Sequence, residues 1–236
     1  ADKTMGDEER IKIFARIRPI PNAKRMCKSY LIKNEFESAL LKYQFDQNDE
    51  FINNSRQAYN FKFTRVFNPE STQEEVFNLV AKQCVMSALD GFNSTVFAYG
   101  QTGSGKTWSV AGGTLEYKNR GIIPRAIALV YEEVEKRKDR QWNINVSYLE
   151  IYNQKGYDLL SPDHDTSSLN DLQRVTLFND GRGNINTNLR SLPARTIDDC
   201  LSLLFLGAAN RTMSETAMNE TSSRSHCIFT LILESW

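Results

Sequence analysis

The 236-residue sequence has few of the residues from which metal sites, disulfide frameworks and membrane spans are built. Its four cysteines, Cys27, Cys84, Cys200 and Cys227, form no C-x-x-C pair, and there are only two histidines, so neither a zinc site nor a disulfide framework is indicated. No run approaches the roughly 18 apolar residues of a membrane span, and the opening ADKTMGDEER lacks the apolar core of a signal peptide. We therefore expect a soluble cytosolic protein with reduced thiols and no membrane partner.

An excess of charge of one sign is also absent. Lys and Arg total 29, and Asp and Glu total 29, so the overall charge does not indicate a nucleic-acid partner, and any binding surface must be local. The content of 40% apolar and 25% charged residues is ordinary for a soluble globular protein. The length suits one α/β domain with a large core.

Strand and helix patterns alternate along the chain. Apolar or alternating residues predict strands over residues 11–20, 59–63, 94–100, 143–153 and 227–235. Apolar residues at helical spacing predict helices over residues 72–89, from Pro124 onward and over residues 197–210. Residues 22–55 are irregular and polar, which suggests a hairpin or a long insertion. The alternation predicts one layered α/β domain with helices on both faces of a sheet.

The segment from residue 71 to residue 100 carries signals for the start and the end of a helix. Ser71 and Glu74 have the spacing of a helix capping box, and Gly91 is placed to end the helix. The next apolar segment, STVFAYG over residues 94–100, is typical of a buried strand in a parallel sheet. Ligands bind beyond the carboxyl ends of such strands, so the following loop is the first place to look for a site.

That loop matches the pattern G-x-x-x-x-G-K-[ST] from Gly100 to Thr107. Glycines let backbone N–H groups turn toward phosphate oxygens, and a helix N-terminus favours anions. Lys106 would place a charge on the β- and γ-phosphates, and the Thr107 hydroxyl would ligate Mg²⁺. The alternative is a flexible Gly/Ser turn, but the pattern arises by chance only about 0.01 times in a chain of this length. The loop therefore predicts a nucleoside triphosphate site.

A second polar cluster, NETSSRSH over residues 219–226, lies just before the last predicted strand. Its hydroxyls suit Mg²⁺ or a water molecule, and its arginine suits a phosphate or a carboxylate. Serine-rich surface turns are common, so spacing alone leaves a polar turn as an equal alternative.

Taken together, these segments resemble the kinesin motor domain. Five motifs occur in the kinesin order and span nearly the whole chain: IFARIRP, VFAYGQTGSGKTW, GIIPRAI, SYLEIYNQKGYDLL and NETSSRSHCIFTL. The sequence segments SYLEIYN…GYDLL and LLFLGAANR…ETAMN are most similar to the ciliary and flagellar kinesin subfamily numbered nine. The resemblance implies a three-layer P-loop NTPase fold of the kinesin type, with a central mixed β-sheet and helices on both faces.

The resemblance also implies roles for individual residues. Arg16, Arg18 and Pro19 would border the adenine, and Trp108 would stack on it at a place where many kinesins have histidine. The phosphate loop would consist of Gly100, Gln101, Thr102, Gly103, Ser104, Gly105, Lys106 and Thr107.

Switch I would begin at Asn219 and run to residue 226. Within it, Ser223 would complete the Mg²⁺ shell together with Thr107, Ser222 would position the attacking water, and Arg224 would pair with a switch II glutamate.

The activity implied is that of an ATP-dependent microtubule motor, an ATPase using ATP and Mg²⁺ and leaving ADP, with tubulin as its partner and no nucleic acid. The full-length protein would be a coiled-coil dimer on the cytoskeleton, in the cytoplasm or a cilium. The competing hypothesis is a nucleotide-binding interaction module that neither hydrolyses nor walks. A P-loop GTPase is disfavoured because no N/T-K-x-D segment is present.

The sequence departs from the family in two respects. Kinesins carry switch II, D-x-x-G-x-E, on the strand after the one ending near Trp236, so residues 1–236 are expected to be a motor domain truncated before switch II, with the C-terminal part absent. Switch II would position the γ-phosphate and pair with Arg224. Without it, we expect the rate of hydrolysis to fall by on the order of 10³ while nucleotide binding remains. The microtubule-facing loop over residues 155–174 is acidic, which leaves only Lys155 and Arg174 as cationic contacts.

Overall fold

The computed structural model describes residues 11–19, 30–35, 38–44, 58–113, 116–161, 172–179, 181, 185–217 and 225–236. The chain divides into two compact units, residues 1–76 and residues 77–236. None of the helices in these described ranges combines the length and the apolar character needed to cross a bilayer.

The first unit is built from short strands. They are β1 (Phe14–Arg16), β2 (Tyr30–Glu35), β3 (Ser38–Gln44), β4 (Ala58–Phe63) and β5 (Arg65–Phe67). Strands β2, β3 and β4 form an antiparallel sheet, and β1 pairs with β5 in parallel. The hairpin expected within residues 22–55 is confirmed by β2 and β3, and the strand expected at residues 59–63 is confirmed by β4.

The strand predicted over residues 11–20 is much shorter than expected. Only three residues form β1, because β5 offers only three partners, Arg65–Phe67. Ile13 instead bonds Thr64, donating its N–H to the Thr64 hydroxyl and accepting the Thr64 N–H at 2.7 Å. With Ile11 80% exposed, alternation along this segment does not correspond to a buried face.

The helix expected at residues 72–89 forms as α1 (Gln73–Val80) and α2 (Lys82–Leu89). Only Ala81 interrupts it, and the Ala81 N–H still bonds the Phe77 carbonyl at 2.9 Å. The Ser71–Glu74 capping box is wrong by one residue, because Thr72 Oγ1 accepts the Glu75 N–H at 3.1 Å. The end at Gly91 is confirmed.

The buried strand expected over residues 94–100 is wrong. These residues have no regular secondary structure, and Phe97 and Tyr99 are 74% and 97% exposed. A parallel strand needs neighbouring strands to bond its N–H and carbonyl groups, and no strand of the described residues pairs with this segment.

Among its described residues, the second unit contains three further α-helices, one short 3-10 helix (Tyr117–Asn119) and seven strands. The helices are α3 (Lys106–Val110), α4 (Ile122–Lys136) and α5 (Ile197–Ala217). The strands are β6 (Trp142–Tyr152), β7 (Lys155–Asp158), β8 (Arg174–Val175), β9 (Leu177–Asn179), β10 (Ile185–Thr187), β11 (Leu192–Pro193) and β12 (Ser225–Ser235). The three segments predicted around Pro124, residues 143–153 and residues 227–235 are confirmed by α4, β6 and β12. Helix α5 is confirmed at its start but continues seven residues past Asn210.

Strand β6 is the centre of this unit. It pairs along its full length with β12, and its other edge pairs with β7 and β11, all antiparallel. Strand β8 extends the sheet beyond β7, and β9 pairs separately with β10. All pairs in this unit that the structure describes are antiparallel, so the parallel pairing inferred from residues 94–100 is not found here.

The hydrophobic core lies between β6 and the helices α4 and α5. Ile127 from α4, Val146 and Tyr148 from β6, and Cys200 and Leu204 from α5 are all buried in one cluster. The alternating residues Ile144, Val146, Tyr148 and Glu150 of β6 are all buried, so they share one inward face. On the opposite face of β12, Ile228 is 46% exposed. The second layer of helices expected there is not among the described residues of this unit.

Candidate functional site

The glycine loop over residues 100–107 turns sharply into α3. Gly103 and Gly105 have φ values of 78° and 100°, a backbone conformation that side chains with a Cβ rarely adopt. A Cβ at Gly105 would meet nothing within 4 Å, so the requirement for glycine there is conformational rather than one of space. At Gly100, in contrast, an added Cβ would lie 2.6 Å from Ser104 Oγ.

The Lys106 side chain folds back over this loop. Its Nζ donates hydrogen bonds to the carbonyl oxygens of Gly100 at 2.7 Å and of Gln101 at 2.9 Å. The ammonium group is therefore held across the loop by two backbone acceptors. This arrangement concentrates positive charge where the loop backbone turns, as binding of a phosphate requires.

Helix α3 contributes less to anion binding than the sequence suggested. It has only five residues, so few peptide dipoles add up at its N-terminus. Thr107, in the first turn of α3, is exposed. A lysine ammonium, loop N–H groups and an accessible hydroxyl form a donor set that fits a polyphosphate and its divalent ion.

The end of α3 is fixed against the start of α4. The Gly121 N–H donates to the Ala111 carbonyl at 3.0 Å, and the Gly113 N–H donates to the Asn119 carbonyl at 2.8 Å. Trp108, 45% exposed, projects from α3, and a Cβ at Gly113 would lie 3.3 Å from its ring. An indole with this exposure has area left for stacking on a base.

The three proposed adenine contacts lie in the first unit. The Arg16 guanidinium donates to Gln73 Oε1 at 2.7 Å and to the Ser71 carbonyl at 3.4 Å, and burial lowers its pKa. Arg18 and Pro19 are exposed. Arg16 is thus already engaged in a hydrogen-bonded position at the start of α1.

The four switch I residues, Asn219, Ser222, Ser223 and Arg224, lie outside the described residues. One of the two proposed Mg²⁺ ligands, Ser223, is among them. Within the ranges that the structure describes, no cluster of three His, Cys, Asp or Glu side chains offers another metal site.

Sequence reasoning missed an ion pair between β6 and α5. Glu150 on β6 is 1% exposed, and its Oε1 lies 3.8 Å from Nε of Arg211 on α5. The neighbouring Asn210 donates its side-chain N–H to the Leu159 carbonyl at 2.8 Å. Glu150 is buried on the same face of β6 as Ile144, Val146 and Tyr148, and a buried carboxylate needs a polar or charged partner.

Comparisons with known proteins give the family. The sequence profile of the kinesin motor domain matches residues 16–236. Kinesin-like protein KIF9 of Mus musculus is 37% identical over 233 residues, which is 98% of this chain and 29% of the relative. Kinesin-like protein KLP1 of Chlamydomonas reinhardtii is 37% identical over 230 residues, 96% of this chain and 28% of the relative.

A third relative, kinesin-like protein klp-20 of Caenorhabditis elegans, is 35% identical over 237 residues, covering 98% of this chain and 34% of the relative. The chain thus spans about a third or less of the length of these relatives. The profile match covers nearly all of the chain and includes the loop from Gly100 to Thr107. This chain belongs to the kinesin motor-domain family.

Proposed function

We propose that this chain is the nucleotide-binding part of an ATP-dependent microtubule motor. The observation that carries the proposal is the Lys106 ammonium, held 2.7 Å and 2.9 Å from two carbonyls of a glycine loop that lies within the kinesin motor-domain match. In that position Lys106 and the loop N–H groups bind the β- and γ-phosphates of ATP. Thr107 and Ser223 would hold Mg²⁺, which would supply charge neutralisation at the phosphates.

We assign the remaining residues of the site separate roles in hydrolysis and in binding of the base. Ser222 orients the attacking water, and Asn219 and Arg224 hold the segment around it. Trp108 would stack on the base. The proposal that Arg16, Arg18 and Pro19 border the base rests on the sequence resemblance alone. Because phosphoryl transfer depends on positioning and charge stabilisation, this set needs no catalytic histidine.

No D-x-x-G-x-E motif occurs in the sequence, so Arg224 has no switch II glutamate within this chain. The exposed apolar segment at residues 94–100 and the edge of β12 away from β6 both suit further strands. The chain alone is therefore expected to bind nucleotide and hydrolyse it slowly.

The partner we propose is the microtubule. Lys155 on β7 and Arg174 on β8 are exposed and lie on adjacent antiparallel strands, so both cations reach solvent from the same part of the sheet. Cations at such positions suit an acidic protein surface. Because the chain is similar to kinesin-like proteins such as KIF9 and KLP1, we propose that the whole protein acts on the cytoskeleton. A location in cilia or the cytoplasm and a coiled-coil dimer are further proposals that follow from the sequence resemblance alone.

The test compares this chain with the full-length protein. We expect both to bind a fluorescent ADP in a Mg²⁺-dependent manner, and only the full-length protein to show ATPase activity that microtubules stimulate. Absence of stimulation in the full-length protein would contradict the motor, while tight binding without turnover would favour a nucleotide-binding interaction module.

A further inference from the structure

Arg125, in the first turn of α4, is a buried cation that is only 9% exposed. Backbone carbonyls accept its hydrogen bonds: Nε donates to the Arg120 carbonyl at 2.9 Å, and Nη2 donates to the Lys118 carbonyl at 3.2 Å. No carboxylate of the described residues forms an ion pair with it. Because a cation is costly to bury, its presence here is best explained by the segment whose carbonyls it holds.

That segment is residues 117–121, which we call the α3–α4 turn. The guanidinium is planar and donates from atoms at fixed positions, so two hydrogen bonds from it set the spacing of the two carbonyls. The Arg125 Cζ also lies 5.5 Å from the centroid of the Tyr117 ring, within the range of a cation–π contact. One side chain of α4 thus contacts the turn at Tyr117, Lys118 and Arg120.

The α3–α4 turn is bonded in its own right to the residues that follow α3. Gly112 forms an antiparallel bridge with Arg120, and the Gly113 N–H donates to the Asn119 carbonyl at 2.8 Å. A Cβ at Gly112 would lie 2.2 Å from the Gly121 nitrogen, so the two backbones touch with no room for a side chain. A movement of the turn therefore moves Gly112 and Gly113 with it.

The Trp108 indole packs against the same place. A Cβ at Gly113 would lie 3.3 Å from Trp108 Cζ3 and 3.2 Å from the Asn119 Cβ, so Gly113 contacts both the indole and the turn. Each step from Arg125 through the turn to Trp108 is thus a direct contact between described residues. Part of the indole is covered by Gly113, and the residue is still 45% exposed.

We propose that Arg125 is a positioning residue that orients the Trp108 indole for the nucleotide base. This inference rests on the proposed function, in which Trp108 would stack on the base. The described hydrogen bonds of Arg125 reach the α3–α4 turn and not the glycine loop, so the effect falls on the base and not on the phosphates. Removing the guanidinium frees the turn from α4 and loosens the support of the indole.

The first test follows Trp108 without nucleotide. Full-length protein is labelled with a fluorinated tryptophan, and Trp108→Phe and Trp142→Phe assign the two fluorine NMR signals. Arg125→Met keeps an unbranched stem and is expected to shift or broaden the Trp108 signal. The Trp142 signal should not change, although Trp142 packs near Val130 of α4. An unresponsive Trp108 signal, or an equal change at Trp142, would overturn the inference.

The second test separates the base from the phosphates. Arg125→Met should weaken MgADP binding by about fivefold, near the lower end of what stacking a base on an aromatic ring contributes, and change the Kd of magnesium pyrophosphate by less than about twofold. In a Trp108→Ala background the same substitution should cost no further MgADP affinity, because the effect passes through Trp108. A loss that adds to that of Trp108→Ala would overturn the inference.

The two tests together separate this inference from the proposed function. A Trp108 signal that moves in Arg125→Met while MgADP affinity is unchanged would support the positioning of Trp108 by Arg125 and refute the stacking of Trp108 on the base. Gly113→Ala is an independent variant that leaves the core around α4 intact. Its added Cβ would crowd the indole, so it should move the same Trp108 signal. No response to Gly113→Ala would contradict the last step of the path.

The matched control is Arg137→Met, at the other end of α4. Arg137 also donates to a backbone carbonyl, that of Leu89 at 3.1 Å, and its side chain is 21% exposed. We expect the Trp108 signal and the affinity for MgADP to be the same as in the parent protein. Equal effects of the two arginine variants would show a general loss of stability and overturn the inference.

Discussion

Two apolar segments of the second unit have opposite fates. In β6, Val146 is fully buried and Tyr148 is 7% exposed, with strands on both edges and helices packed on one face. In residues 92–100, Phe97 and Tyr99 are largely exposed, and no described strand pairs with them. The binding loop thus comes after a weakly packed segment, whereas the scaffold that positions α5 is densely packed. Apolar sequence becomes a strand only where neighbours satisfy its backbone.

The strongest effect is expected on the packed side, in β6 and its helices. Ile127→Ala removes a fully buried side chain between α4, β6 and α5, and cavity formation should lower the free energy of unfolding by about 2–5 kcal/mol. Chemical denaturation measures this, with Leu177→Ala as control because Leu177 is 72% exposed. We expect Ile127→Ala to leave MgADP affinity unchanged as long as the protein is folded. A fall in affinity in proportion to the loss of stability would contradict the separation between the packed core and the binding loop.

On the loop side, Lys106→Ala should weaken MgADP binding by about 100-fold, close to 2.7 kcal/mol, because a charge-assisted phosphate contact is lost. Stability should hardly change, since the Lys106 hydrogen bonds seen among the described residues go to carbonyls of its own loop. Titration of a fluorescent ADP checks the affinity, and Lys118→Ala, an exposed lysine paired with Glu116, is the control. Unchanged affinity would contradict both nucleotide-binding hypotheses.

Gly207→Ala tests how closely α5 approaches the sheet. A Cβ at this position would overlap the Tyr148 ring, so overpacking should cost about 1–3 kcal/mol although alanine favours a helix. A thermal melt should show Tm lower by about 2–4 °C per kcal/mol. Ala209→Ser, on an exposed face of α5, should shift Tm far less. A melt indistinguishable from the parent would mean that α5 is free to move off β6.

The weakest effect concerns Asp158, which is buried and accepts the N–H groups of Leu160 and Arg190. Burial raises its pKa above the ordinary 3.8 despite these hydrogen bonds. The folded protein then holds this proton to higher pH than the unfolded chain does, so the Asp158 contribution to stability falls as pH rises through that interval.

Asp158→Asn should remove this dependence. Unfolding measured between about pH 4 and 7 is expected to show the difference between parent and variant shifting against the parent as pH rises. A parent that gains on the Asp158 variant with rising pH would show that hydrogen bonds, not burial, control this carboxyl.

Much of the second unit could be predicted from local sequence. The spacing around Pro124 and the alternation in β6 predict α4 and β6 because each has one apolar side that the core covers. The end of α5 was not predictable in this way, because residues after Asn210 carry no apolar period, and a helix propagates at little cost once it is formed.

The candidate site also contains features that local sequence predicts and features that it does not. The glycine loop is predictable because its spacing encodes backbone conformation directly, as the φ of 100° at Gly105 illustrates. The Glu150–Arg211 pair joins residues 61 positions apart, so it depends on the tertiary fold. The prediction for residues 94–100 was wrong because their burial requires partner strands, which their own composition does not specify.

Strand β12 presents eleven residues of backbone whose second edge is not paired by any described strand. An exposed edge of that length is a template on which another chain can add a strand. Preparations of these 236 residues alone should therefore self-associate through the sheet as concentration rises, and a proline placed at Thr230 should suppress that association where it leaves folding intact.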